Sequence, residues 1–556
     1  MRILRGILSA LPTQRSKKQN NGQADSRMQY NLLALLMAVA VFSNGQDLKS
    51  GGILKPEQAI MDVRHYAVSL SVDPIQQSIE GAATITILLS RPTQTLLFDL
   101  VNLLEVKKVW VNGKVQSFTH TDDVIKVSLA SPLKAGKTSV KVQYGGKPGI
   151  SKNPPWVGGF TWSKDSLGRP WVAITCQSEG AKIFFPCKDH PSDEPNDGAD
   201  LIITVPEDLY VAGPGRLLSN VKKRNRRTFH WKTSYTINNY SIVFNIARYS
   251  VATRTFTSVS GDKIPMQFYV LELHENKANR MLDLLERCVK LEEKYFGPYP
   301  FPKDKIAICE TPHLGMEHQT LNAYGNKFKY TVSGGKDFDW LLLHELGHEW
   351  WGNKVTVKDW ADMWIQEGIC TFGDHLYTLD YDGKEAYLNR MKATARATSN
   401  IQPIVPGSDI DADAVYQYDI YVKGAFFMHT IRYIVGDEIF FPTLKELATD
   451  PKFTYDNLIS TNDVEKLFTK ASGMYLKPVF DLYLRTTQKL DIRVKQTGNN
   501  EYLIQLINFN DPLPLDVQTD NGRERRMVDE KGITVKSEST PVIDPDVYYL
   551  KRVILE

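Results

Sequence analysis

From about residue 60 to residue 255, apolar and polar side chains alternate with a period of two. The clearest runs are 66–72, 83–89, 106–111 and 138–144, separated by turn pairs such as Asn112-Gly113 and Gly145-Gly146. Successive side chains of a strand point to opposite faces, so this pattern predicts a β-rich domain. After Asn276 the period lengthens. Met281, Leu282, Leu284, Leu285, Cys288, Val289 and Leu291 recur at three- and four-residue spacing, which predicts an amphipathic helix. Helical spacing continues near 340–353, 384–400, 423–435 and 463–486, and strands return at 490–494, 501–506 and 547–550. The order predicts a multidomain α+β chain. Its parts are a leader over 1–45, a β-rich domain over 46–252, a mostly helical catalytic domain over 253–486 and a small β module over 487–556.

Composition narrows the class. A chain of 556 residues, 42% hydrophobic and 24% charged, is too long for one ordinary core and too apolar to be disordered. Lys and Arg number 67 against 64 Asp and Glu, and at a formal +3 no long basic stripe stands out, so nucleic acid is not an expected partner. Five cysteines without a CxxC exclude a disulfide scaffold and a thiolate zinc site; one disulfide, Cys176 with Cys187, stays open. The longest apolar run, 32–42, is too short to span a hydrocarbon layer of roughly 30 Å as a helix but suits a signal peptide. Small residues follow it at Ser43, Asn44 and Gly45. Export is therefore expected, with no stable membrane insertion of the mature chain. Residues 1–45 hold six basic and one acidic side chain, so the rest of the chain is close to −2.

The chemistry concentrates in His344-Glu345-Leu346-Gly347-His348, preceded by the apolar 340–343. On a helix, residues four apart share a face, so both imidazoles can converge on one metal ion. Glu345 projects about 100° away and can address a metal-bound water without being a ligand. Taken alone, the pattern also suits an amphipathic helix with two surface histidines, and a third ligand has to decide. A hydrolytic zinc site takes three protein ligands and leaves the fourth position to water. Glu367, with eighteen residues between it and His348, begins a second helical segment and is the candidate. Zinc is the expected ion, one per chain, with manganese or cobalt as possible substitutes.

The stretch HELGHEWWGN, followed by Val355-Thr356, Lys358-Asp359-Trp360 and Trp364-Ile-Gln-Glu-Gly, resembles the M1 metallopeptidases. These are gluzincin aminopeptidases whose members include aminopeptidase N and leukotriene A4 hydrolase. The resemblance implies a saddle-like N-terminal β domain, a thermolysin-like catalytic domain and a C-terminal module of β-sandwich type. It implies zinc on His344, His348 and Glu367, with Glu345 as general base. Leu314-Gly315-Met316-Glu317-His318 is similar to the family's exopeptidase motif GxMEN, which assigns Gly315, Met316 and Glu317 to substrate binding and Glu317 to the substrate's free amine. Thr175-Cys176-Gln177, ahead of Phe185-Pro-Cys-Lys-Asp-His-Pro191, resembles the segment that makes the second contact to that amine, here Gln177. Tyr421-Val-Lys-Gly424 resembles YEKG, whose tyrosine hydrogen-bonds the oxyanion.

Two positions depart from the pattern: His318 replaces the usual Asn, and Val422 the usual Glu. Tyr416, five residues before Tyr421, is the alternative oxyanion donor. His313, His318 and His375 are expected to be structural, and Trp350, Trp351, Trp360 and Trp364 to be core packing. The expected activity is a zinc-dependent aminopeptidase acting on peptides with a free N-terminus. An epoxide hydrolase of the leukotriene A4 hydrolase type and an inactive peptide-binding protein are the alternatives. The oligomeric state is open.

Overall fold

The structure, a computed structural model, describes residues 48–556. The apolar run at 32–42 and the leader lie outside the described residues. Among the described residues no helix is long and apolar enough to cross a membrane.

The period-two segments pair into a ten-stranded sheet. One edge is the strand Arg216–Lys223, followed by Arg226–Lys232, Ala199–Pro206, Met61–Asp73 and Ser78–Leu89; the far edge is Thr93–Asp99. The pairing is antiparallel except between Met61–Asp73 and Ala199–Pro206, which run parallel, Leu70 opposite Ile203. The inward set, including Val68, Leu70, Ile85, Ile87, Val140 and Val142, is fully or almost fully buried. A second, four-stranded sheet contains Pro170–Thr175, which delivers Gln177 two residues past its end.

The strand Tyr249–Thr257 bridges the expected division at 252/253 and opens a five-stranded sheet that ends with Gly315–Met316. Helices follow. We label α1 Ala278–Phe296, α2 Trp340–Gly347, α3 Trp364–Tyr381 and α4 Tyr418–Val435. The helix expected over 340–353 ends at Gly347, and the amides of Trp350 and Trp351 both turn back to the Gly347 carbonyl (3.1 Å each). The helix Asp437–Thr449 carries Pro442 in its interior, which hid it from a reading by spacing.

The C-terminal module holds a four-stranded and a three-stranded sheet. Residues 547–550 do not form the strand expected there. The Asp544 carboxylate accepts the amides of Tyr548 and Tyr549, and Val547 sits at φ 61°, so a turn occupies the segment and the final strand is Lys551–Leu555. The two tyrosines dock the module on α4: Tyr548 stacks on Tyr433 with ring centroids 3.9 Å apart, and the Thr430 hydroxyl donates to the Tyr548 carbonyl (2.7 Å). All five cysteines are free and buried, so the pairing of Cys176 with Cys187 is not formed. Cys176 turns its sulfur to the Tyr240 carbonyl, and Cys187 is held by backbone hydrogen bonds to Asp99.

A half-buried acid, Glu179, lies two residues past Gln177. Burial pushes the Glu179 carboxyl up to about 7, against the pull of the Gly158 amide it accepts (2.7 Å). A raised folded value means that the folded chain keeps this proton while the unfolded chain loses it. Its contribution is complete below pH 4.5 and is lost as pH rises to 7. The stability difference between the parent and Glu179→Gln, measured by urea unfolding, should therefore decline across that window and level off above it.

Candidate active site

The helix that carries the candidate metal ligands His344 and His348 begins with its own cap. Asp339 accepts the amides of Leu341 (3.1 Å) and Leu342 (3.3 Å), the first-turn donors that a helix leaves unpaired. Leu341, Leu342, Leu343 and Leu346 bury the apolar side, which turns His344 and His348 toward α3. Glu367, in the first turn of α3, meets them. Its Oε2 lies 3.6 Å from His344 Nε2 and 3.3 Å from His348 Nε2, and the two nitrogens are 3.3 Å apart. A tetrahedral ion bound at about 2.0–2.1 Å separates its ligand atoms by about 3.3 Å. The donor triangle fits zinc without rearrangement.

The outer atoms agree. His344 Nδ1 faces Asp374 Oδ2 (3.0 Å) and His348 Nδ1 faces the Trp351 carbonyl (2.8 Å). Both acceptors keep the proton on Nδ1 and leave the Nε2 lone pairs toward the triangle. Glu367 Oε2 is buried and has no hydrogen-bond partner, an arrangement that costs free energy unless a cation completes it. Burial opposes ionisation of Glu367, yet the two imidazoles beside it outweigh burial and hold its carboxyl below the usual carboxylate range. Cys370 Sγ lies within 4.8 Å of both imidazoles but donates to the His344 carbonyl (2.9 Å), which turns the thiol away from ligation.

Glu345 leaves α2 on the side of the strand Gly315–Met316. A methyl group on Gly315 would collide with the Glu345 carboxylate, so the glycine is what admits the acid. Burial pushes Glu345 up to about 8, with the Glu317 and Glu367 carboxylates adding to the rise and His344 and His348 opposing it. Glu317, Glu345 and His348 each bring one ligand atom within 4.8 Å of the others. Two donors from the β domain converge on Glu317 Oε1: Gln177 Nε2 at 2.6 Å and the Tyr240 hydroxyl at 2.9 Å. Asn353, six residues past the end of α2, donates to the Glu317 carbonyl (2.8 Å). Side chain and backbone of Glu317 are thus fixed from three segments distant in sequence.

Tyr240 was not anticipated. It lies in Asn238-Asn239-Tyr240, a stretch with no chemical spacing, and only the fold brings it against Glu317, 77 residues away. With Asn238 donating to its oxygen (3.3 Å), the tyrosine has its proton free for the carboxylate. Tyr240→Phe removes one of two donors to a buried acid, a loss of about 1.5–3 kcal/mol. The expected result is a rise of roughly tenfold or more in KM for free-amine substrates with a smaller change in kcat, read from steady-state kinetics.

Tyr421 reaches the site through a close helix crossing. Where α4 passes α3, a Cβ on Gly368 would lie 2.7 Å from Gly424 Cα, so two glycines let the backbones touch. Each lies within three residues of a site group, Glu367 before Gly368 and Tyr421 before Gly424, and the Tyr421 ring comes to 6.1 Å from that of His344. The Tyr416 and Tyr421 hydroxyls are 2.8 Å apart, so both candidate oxyanion donors belong to one pair. Lys423 is fully buried, donates to the Thr486 carbonyl (3.0 Å) and is pulled down to about 8 by burial; Val422 packs beside it. His313 and His318 are buried, held neutral at about 3, and carry ring nitrogens without hydrogen-bond partners. His375 meets the Thr394 hydroxyl (3.0 Å), and Trp350, Trp351, Trp360 and Trp364 are packed in the core.

Comparison with known proteins separates family from activity. The Peptidase M1 N-terminal domain matches residues 63–240 and the Peptidase family M1 domain matches residues 280–483, the second spanning His344, His348 and Glu367. The chain belongs to peptidase family M1. It is 24% identical over 476 residues to a puromycin-sensitive aminopeptidase of Caenorhabditis elegans, covering 79% of this chain and 48% of that one. With leukotriene A-4 hydrolase of Xenopus laevis it shares 25% over 415 residues, 69% of this chain and 64% of the other. The chain spans about half the length of the C. elegans protein and of the rice aminopeptidase M1-D (53%). Its fold is shared with the M1 zinc metallopeptidase of Deinococcus radiodurans, at a TM-score of 0.63 and 22% identity over 79% of this chain and 96% of that one. A mutant of that enzyme bound to a Tyr-Ser-Ala substrate superposes with a TM-score of 0.65 at 21% identity, again over 79% and 96%.

Proposed function

We propose that this M1 chain is a zinc-dependent aminopeptidase that removes single residues from the free N-terminus of peptides. The observation that carries the reading is the position of Glu317, an acid braced by Gln177 and Tyr240 within 4.8 Å of both the base Glu345 and the ligand His348. An enzyme that cut inside a chain would have no use for an anion held there. When bound by His344, His348 and Glu367, zinc supplies Lewis acidity to the scissile carbonyl and to water.

The chain's own residues do the rest. Glu317 and Gln177 take the substrate ammonium; with both donors on Glu317 Oε1, its Oε2 is the oxygen left to face the ammonium. That anchor fixes cleavage one residue from the end. Glu345 removes a proton from the attacking water and hands it to the departing amine, one carboxylate serving twice. Tyr421 donates its hydroxyl proton to the oxygen where charge develops, and Tyr416 holds that hydroxyl in place.

Release of chromophore from aminoacyl anilides tests the reading. Activity should disappear with a chelator, return with zinc and be no more than a slow background on N-acetylated substrates. Turnover that ignores the chelator, or equal turnover of blocked substrates, overturns it.

A further inference from the structure

The hairpin 216–232 at the edge of the ten-stranded sheet carries seven Lys or Arg side chains and no Asp or Glu. It stands on a chain whose positive and negative charges otherwise nearly cancel. Its outer strand, Arg216–Lys223, is exposed at all eight residues. The turn at Arg224 and Asn225 has both residues at positive φ (50° and 58°), the form that suits a tight two-residue hairpin. Five of the seven cations, those around the turn, divide into two groups. Arg226 is bound to the Ser71 hydroxyl and the Thr204 carbonyl, and Arg227 to Asn220 and the Phe229 ring, so these two hold the hairpin's shape. Lys222, Lys223 and Arg224, at the tip, form no ion pair with any described residue. Preceding them on the same strand are Leu218 and Val221, exposed at 54% and 56%.

We propose that this hairpin is a docking surface for an anionic lipid bilayer. Three unpaired cations beside two exposed aliphatic side chains match a layer in which phosphate groups lie over hydrocarbon. The aliphatic pair decides between polyanions. A nucleic-acid backbone offers phosphate but no apolar layer for Leu218 and Val221, and the hairpin's two large aromatic rings, Phe229 and Trp231, are buried and offer no face for a base. Adsorption would be peripheral, with no span inserted. The base of the hairpin is stiff: the Gly215 amide donates to the Thr320 hydroxyl (2.8 Å), three residues past Glu317, and Lys305 caps the Gly213 carbonyl (2.6 Å). A membrane bound at the tip would therefore hold the site at a fixed attitude to its surface.

Each cation reaching an anionic surface is worth about a fivefold change in partitioning. The test is co-sedimentation of the full chain with vesicles of phosphatidylcholine, alone or mixed with phosphatidylglycerol, read as the ratio of anionic to neutral binding. The parent should favour anionic vesicles, less so as salt rises. The combined change Lys222→Gln, Lys223→Gln and Arg224→Asn should lower the ratio about 100-fold while anilide turnover and Tm stay put. Lys223→Glu alone, at an exposed position that folding does not depend on, should move it the same way. Leu218→Ser with Val221→Ser should weaken vesicle binding and leave binding to duplex DNA unchanged. An unchanged ratio in the triple variant overturns the proposal, as does duplex DNA binding more tightly than vesicles. Release from vesicles by inorganic phosphate at constant ionic strength would point to a free anion as the ligand and overturn it too.

Discussion

Replacing Glu345 by Gln should abolish turnover and leave the metal in place. The amide has almost the same shape, so it fits the gap that Gly315 leaves for the carboxylate, and no repacking is required. What it lacks is a basic oxygen. It cannot take a proton from water, and a positioned base contributes about 10²–10⁴-fold to a rate. Because the same group also returns the proton to the leaving amine, we expect kcat to fall by roughly 10³ or more. The three atoms of the donor triangle belong to His344, His348 and Glu367, and the hydrogen bonds that orient the imidazoles run to Asp374 and Trp351. None involves Glu345. Metal content per chain, measured on the same preparation as the kinetics, should therefore match the parent. Loss of zinc in Glu345→Gln would make the residue a ligand, and retained turnover would make another group the base.

Parts of this site were legible in the sequence because local geometry fixes them. Two histidines four apart and a glutamate beside the first are placed by helical repeat alone, and α2 with its C-terminal cap residue His348, still in helical conformation, delivers them as spacing predicts. Glu367 needed a second helix to return, which the length of the intervening segment allowed. The proposed amine site is another matter. Gln177 and Glu317 are 140 residues apart and meet across two sheets, so only resemblance to the M1 pattern could bring them together on paper. Tyr240 had neither motif nor spacing. In the C-terminal module, residues 547–550 look like a strand by composition, but a carboxylate at Asp544 that can accept two amides overrides that preference. The basic hairpin was diluted by whole-chain averaging: a charge of +3 over 556 residues says nothing about seven cations in one exposed hairpin.

The second large effect is expected at Glu317. Glu317→Gln keeps the size of the side chain and an oxygen for Gln177 and Tyr240 to bind, but removes the negative charge. A substrate ammonium would then face a neutral amide in a buried site. Truncating one partner of a desolvated charge pair costs about 2–5 kcal/mol, because the other charge is left unpaired, so kcat/KM for aminoacyl anilides should fall between about 30-fold and several thousand-fold. The loss should depend on the substrate. An N-acetylated peptide has no ammonium to strand, so its slow background hydrolysis should be unchanged or slightly raised, and the preference for free over blocked substrates should shrink by the same factor. A substitution that merely disturbed the fold would lower both rates together. Parallel kinetics on the two substrate classes separate these outcomes, and an equal fall in both would remove Glu317 from amine recognition.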